Sequence, residues 1–143
     1  MLKISFDIGG VLSKYPDKFR MLARALALSP DIELYVITDM HDHGQSVRFV
    51  HGNGFDMIPA DRIINSDYTE YGEFCKAQMI EELGIDIHID DFPGYCAHVS
   101  CINLFVWPNP NEPYYSEEWK TDGSEGNFGR RAKTKWSSRN GLN

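Results

Sequence analysis

The sequence predicts an α/β domain, a three-layer sandwich whose central parallel sheet has about five strands with helices packed on it. Three observations carry that prediction. Short apolar runs alternate along the chain with segments whose apolar residues recur at three- and four-residue spacing. Three of the runs end on polar or acidic residues, at Asp7, at Thr38-Asp39 and at Asp90-Asp91, where open α/β sheets place their chemistry. With 143 residues, 42% of them hydrophobic, the chain can bury one core but hardly two.

Leu2-Lys3-Ile4-Ser5-Phe6 is the first strand, closed by Asp7 and the turn Asp7-Ile8-Gly9-Gly10-Val11-Leu12, whose glycines let backbone approach a ligand. Pro16-Asp17 starts a helix with Phe19, Leu22, Ala23 and Leu26 on one face, and Ser29-Pro30 stops it. Residues 32–37 form the second strand, ending at Thr38-Asp39. A weaker helix runs through Val47 and Val50 to Gly52-Asn53-Gly54. A short third strand falls within residues 61–66 and leads into a polar turn. Phe74, Ala77, Ile80 and Leu83 make the buried stripe of a third helix, with Gly84 at its end. Residues 85–89 are a fourth strand ending at Asp90-Asp91, and residues 100–107 a fifth, closed by Pro108 and Pro110. Residues 1–127 are thus expected to form one domain. Residues 128–143 form a basic tail carrying Arg130, Arg131, Lys133, Lys135 and Arg139.

A net charge of -7 and a pI near 5.1 argue against a generic nucleic-acid or anionic-membrane binder. No stretch approaches the roughly 20 apolar residues of a membrane span, and Met1 leads straight into a strand instead of a signal segment, so a soluble, cytoplasmic protein is expected. Cys75, Cys96 and Cys101 lack paired metal-ligand spacing and read as reduced thiols.

Phe6-Asp7-Ile8-Gly9-Gly10-Val11-Leu12, Val36-Ile37-Thr38, Lys76 at the head of a helix and Ile89-Asp90-Asp91 occur in one order along the chain. In that order they resemble the signature elements of the haloacid dehalogenase superfamily of phosphatases and phosphotransferases. The resemblance implies a Rossmann-like sheet with the first strand between the second and the fourth, which brings Asp7, Thr38 and Asp90-Asp91 together. It implies Asp7 as a carboxylate nucleophile that forms an aspartyl-phosphate. Thr38 and Lys76 complete the catalytic set, and Thr38, Asp39, Lys76 and Gly10 surround the phosphoryl group. Asp7, the carbonyl of Gly9, Asp90 and Asp91 would hold Mg²⁺, with Asp91 as a direct ligand and Asp90 binding either directly or through a ligand of the metal. The expected activity is hydrolysis of a phosphate monoester, a nucleotide or a nucleic-acid end being the first substrate guess.

The chain departs from the family at Gly9, where most of its phosphatases carry a second Asp that acts as general acid and base. Such catalysis is typically worth about two to four powers of ten, most for poor leaving groups such as alkoxides. Three outcomes follow: substrates with good leaving groups, a substitute donor such as His41 or His43, or a phosphate- and metal-binding module without turnover. Only a turn and a helix separate Asp7 from the second strand, so an uncapped site is expected. The Pro-, Asn- and aromatic-rich residues 107–115 could form a partial lid, and the basic tail could contact nucleic-acid phosphates. A phosphoacceptor receiver domain shares the acid, Thr and Lys ingredients but orders them differently. Dehalogenation itself fits poorly, since it needs no metal and usually a cap.

Overall fold

The computed structural model describes residues 1–96 and 98–106. Leu2–Phe6 (β1) pairs in parallel with Ile32–Thr38 (β2) on one side and Ile87–Asp90 (β4) on the other. Ile63–Asn65 (β3) adds to β2 and Ile102–Phe105 (β5) to β4. The sheet is therefore parallel throughout, in the order β3-β2-β1-β4-β5, with β1 central. This is the α/β, Rossmann-like architecture read from the sequence.

Because side chains alternate across a strand, the sheet feeds two cores. Ile4, Phe6, Leu34, Val36, Ile63 and Ile89 face a cluster that includes Ala23 of Pro16–Ala27 (α1) and Val50 of His43–Gly52 (α2). Tyr35 and Ile37 face the other way and pack on Ile80 of Cys75–Leu83 (α4). Two helices on one face and α4 on the other hold the sheet in a three-layer arrangement. The first helix begins with Pro16, whose missing N–H is no loss in a first turn. In α2, Asp42 caps the start by accepting from Gln45 N at 3.2 Å, and Gly84 ends α4 in the left-handed region at φ 66°.

The fourth strand starts two residues later than expected. Ile85 N donates to Ile80 O at 3.0 Å and its side chain packs with Ile80, so Ile85 closes the helix before the strand begins. Two single-turn helices were not anticipated. Tyr68–Tyr71 (α3) is capped by Asp67, which accepts from Glu70 N at 2.9 Å, and Pro93–Cys96 (α5) opens on a proline. The fifth strand spans Ile102–Phe105, starting two residues later than expected and ending before Val106, and the proline-rich segment from residue 107 and the basic tail lie outside the described residues. Between β1 and β2 the chain forms one wide turn and one helix. No helix among the described residues is long and apolar enough to cross a membrane.

Candidate active site

A central parallel strand must end somewhere, and β1 ends at Asp7, whose N–H donates to Ile89 O at 2.9 Å. That bond fixes Asp7 beside the carboxyl end of β4. Its Oδ1 then accepts from Ile8 N at 2.7 Å and from Lys76 Nζ at 2.9 Å. The turn over residues 8–12 leaves helical geometry at Gly9 and Gly10, with φ of -62° and 69°. Gly9 has room for a side chain: an added Cβ would meet nothing nearer than Asp7 Oδ2, at 4.0 Å. Gly10 has none. It sits at positive φ, and a Cβ there would fall within the Asp91 carboxylate.

Lys76, in the first turn of α4, is fully buried. Its Nζ binds Asp7 Oδ1 and Asp90 Oδ2, the latter at 2.7 Å, and lies 4.3 Å from the centre of the Tyr95 ring. Burial disfavours the ammonium, but the Asp7 and Asp90 carboxylates outweigh it and push the Lys76 pKa up. Asp90 Oδ2 also receives His88 Nε2 at 2.9 Å, while Asp90 Oδ1 receives Phe92 N at 3.0 Å. A carboxylate can only accept, so Nε2 carries the His88 proton and Nδ1 must accept. Ser5, the register partner of His88 across β1 and β4, donates to it through Oγ at 2.8 Å. Burial lowers the His88 pKa, which fits this neutral tautomer.

One cation between two acids divides its effect unequally. Burial works against the charge on Asp90, yet Lys76 and His88 hold it below the usual carboxylate range. Burial dominates at Asp7 and pushes its pKa up to about 8, with Lys76 opposing and the charges of Asp90 and Asp91 adding. Asp91, half-buried past the end of β4, is pushed up to about 6 by burial and by Asp90. Three carboxylates thus meet one ammonium. Oxygens of Asp7, Asp90 and Asp91 all lie within 4.8 Å of one another. A donor set made wholly of carboxylates, without thiol or imidazole, fits a hard divalent cation such as Mg²⁺. Asp90 already has both oxygens engaged by protein donors.

Above these acids opens a cavity of about 520 Å³. Asp7, Gly9, Gly10, Asp39, Tyr68, Asp91, Phe92 and Tyr95 line it. Tyr95 donates its hydroxyl to Asp39 Oδ2 at 2.7 Å, and burial together with that carboxylate pushes the phenol pKa up. Its ring meets Phe92 and Tyr68 edge to face, with centroids 5.0 Å and 6.4 Å away.

The sequence-predicted residues divide into two levels. Asp7, Gly9, Gly10, Asp39 and Asp91 reach the cavity. Thr38, Lys76 and Asp90 lie buried beneath it. The Thr38 hydroxyl accepts from Met40 N at 3.3 Å, and its carbonyl accepts from Ser66 N and Oγ. The Gly10 amide donates to Ser13 Oγ at 3.1 Å. The candidate donors His41 and His43 do not line the cavity: His43 Nε2 bonds the carbonyls of Ile63 at 2.9 Å and Ala60 at 3.2 Å, and His41 is exposed. Sequence reasoning missed Ser5, His88, Tyr68, Phe92 and Tyr95. For Ser5 and His88 a signal existed, since each is a polar residue at an inward position of an apolar strand. Searches against protein families, curated proteins and solved structures return no match to this chain.

Gly10→Ala should cost about 2 kcal/mol or more in urea denaturation, combining left-handed strain of roughly 1–2 kcal/mol with displacement of Asp91. Lys76→Met, which leaves two buried carboxylates without their cation, should cost about 3–5 kcal/mol, and adding Asp90→Asn should recover part of that loss. A third expectation concerns pH. Folding raises the Asp7 pKa from 3.8 to about 8, so the native state keeps this proton across a window where the unfolded chain has lost it. That contribution to stability is lost as pH rises through the window. Asp7→Asn has no such proton, and its melting temperature relative to the native chain, with chelator present, should climb from pH 5 to pH 8.

Proposed function

We propose that this chain is a Mg²⁺-dependent phosphomonoester hydrolase of the haloacid dehalogenase type, working through an aspartyl-phosphate on Asp7. The observation that carries the reading is the posture of Asp7. One oxygen is held by Lys76 Nζ and Ile8 N, and the residue lines the cavity beside Asp91. A carboxylate fixed by one oxygen at the end of a central strand has its other oxygen directed by the same bonds, which is how a weak nucleophile is kept in an attacking orientation.

Asp7 Oδ2 attacks phosphorus, and the ester oxygen departs with its electron pair. Water then attacks the phosphorus of the acyl phosphate, returning the Asp7 carboxylate and releasing inorganic phosphate. Lys76 acts through Asp7 and Asp90, since it is buried beneath the Tyr95 ring. Thr38 shapes the loop that carries Asp39 through its bond to Met40 N. Asp7 and Asp91 would hold the metal, with Asp90 orienting Lys76 behind them. When bound, Mg²⁺ supplies the positive charge that favours the ionised acids and offsets the charge of the phosphoryl group.

Phosphate release from p-nitrophenyl phosphate, with and without Mg²⁺, tests the reading. Metal-dependent release by the native chain should fall to background in Asp7→Asn, with an unchanged circular dichroism spectrum and with a phosphoryl adduct on native Asp7 visible by mass spectrometry after acid quench. Equal turnover by native chain and variant would remove the mechanism. A native chain that binds Mg²⁺ but turns over no phosphoester would be a binding module instead.

A further inference from the structure

We infer that the cavity takes aryl phosphates, monoesters in which the leaving oxygen belongs to a phenol whose ring lies against Tyr68, Phe92 and Tyr95. The inference rests on Asp7 as the nucleophile and goes further, to the class of ester.

Two independent features lead to it. The first is the composition of the wall. Three aromatic rings that meet edge to face line the same cavity as Asp7 and Gly9, with Phe92 and Tyr68 set around Tyr95 at 5.0 Å and 6.4 Å. Aromatic pairs favour these same offset and edge-on separations, so a planar ring entering the cavity finds matching partners. About 520 Å³ is within the size of pockets that enclose small organic ligands.

The second is the chemistry beside Asp7. The position above Asp7 Oδ2, where a side chain from residue 9 would stand, holds only Gly9. The Tyr95 hydroxyl is committed to Asp39 Oδ2 at 2.7 Å. His43 is held by the carbonyls of Ala60 and Ile63. Among the described residues, then, none stands at the position of residue 9 to protonate a leaving oxygen. A phenolate needs little such help, because a phenol such as the tyrosine side chain has a pKa of about 10. An alcohol is close to water, at about 15.7. In the first step the Asp7 oxygen–phosphorus bond forms as the phosphorus–aryl oxygen bond breaks, and the aryloxide leaves with the electron pair and takes a proton from solvent. Water then hydrolyses the acyl phosphate, so aryl phosphate and one water give phenol and inorganic phosphate.

The test is a leaving-group series with Mg²⁺ present: substituted phenyl phosphates, phenyl phosphate, phosphotyrosine free and within a peptide, glycerol phosphate and a nucleoside 5′-monophosphate. Among the phenyl esters kcat/KM should fall steeply as the phenol becomes less acidic, and alkyl esters should lie about 100-fold or more below phenyl phosphate. Gly9→Asp, which the backbone accommodates, should shrink the aryl-to-alkyl ratio by about tenfold or more, in keeping with the two to four powers of ten that general acid catalysis supplies. Tyr68→Ala and Phe92→Ala should raise KM for phenyl phosphate more than for acetyl phosphate, which has a good leaving group but no ring. A preference for the phosphotyrosyl peptide or for the free ester would identify the source of the ring and support the class in either case. Alkyl and phenyl esters hydrolysed within about threefold of each other would overturn the inference while leaving the phosphatase intact. Absence of phosphate release from every member, acetyl phosphate included, would overturn the phosphatase reading itself, and this inference with it.

Discussion

A single buried ammonium organises the carboxyl end of the sheet. Lys76 enters from α4 on one face and binds the last residue of β4 and the residue that follows β1. Ionised groups in a protein interior persist only when their partners are close and their hydrogen bonds complete, and Lys76 meets both conditions with two carboxylates and an aromatic ring. Asp90 is in turn completed by His88 and Phe92 N, and His88 by Ser5. This chain of bonds runs along the sheet from within β1 to its end. Of the three clustered acids it leaves Asp7 and Asp91 presented to the cavity, both pushed toward their protonated forms until something positive joins them.

The two glycines of the first turn do opposite things. At Gly10 a side chain is excluded by positive φ and by the Asp91 carboxylate, so glycine is required for the acids to gather at all. At Gly9 the backbone is ordinary and the space open, so nothing in the fold demands the residue. Its absence of a side chain is a chemical property of the site and not a packing necessity. That distinction cannot be drawn from the letters Gly-Gly; it needs the position of Asp91.

The sheet was legible in the sequence because strands β1 to β4 are apolar runs closed by polar residues, and because α1 and α4 carry apolar residues at helical spacing, although Leu22 of the α1 stripe is exposed and Ala23 is the residue it buries fully. The short helices were not, since four residues such as Tyr68–Tyr71 contain too little periodicity to register. The acids of the site could be found by their place at strand ends, but their division of labour could not. Asp90 and Asp91 are neighbours in sequence, yet one points into the Lys76 bond at the base of the site and the other stands at the cavity beside Gly10. The aromatic wall was invisible for a related reason. Phe92 and Tyr95 share one short turn and Tyr68 belongs to another, and only the fold sets its ring beside theirs.

The central position of β1 bears on how the molecule comes into being. The strand that carries Asp7 is made first, but its neighbour β4 ends at residue 90, and Lys76 arrives only with α4. Parallel pairings between such distant segments form late, after the entropy of closing long loops has been overcome. During synthesis Asp7 therefore waits, without its cation and without its fellow acids, until more than eighty further residues have emerged. A growing chain holds no preformed acidic cluster to sequester metal or capture phosphate. The acidic cluster is complete only once β4 has paired with β1.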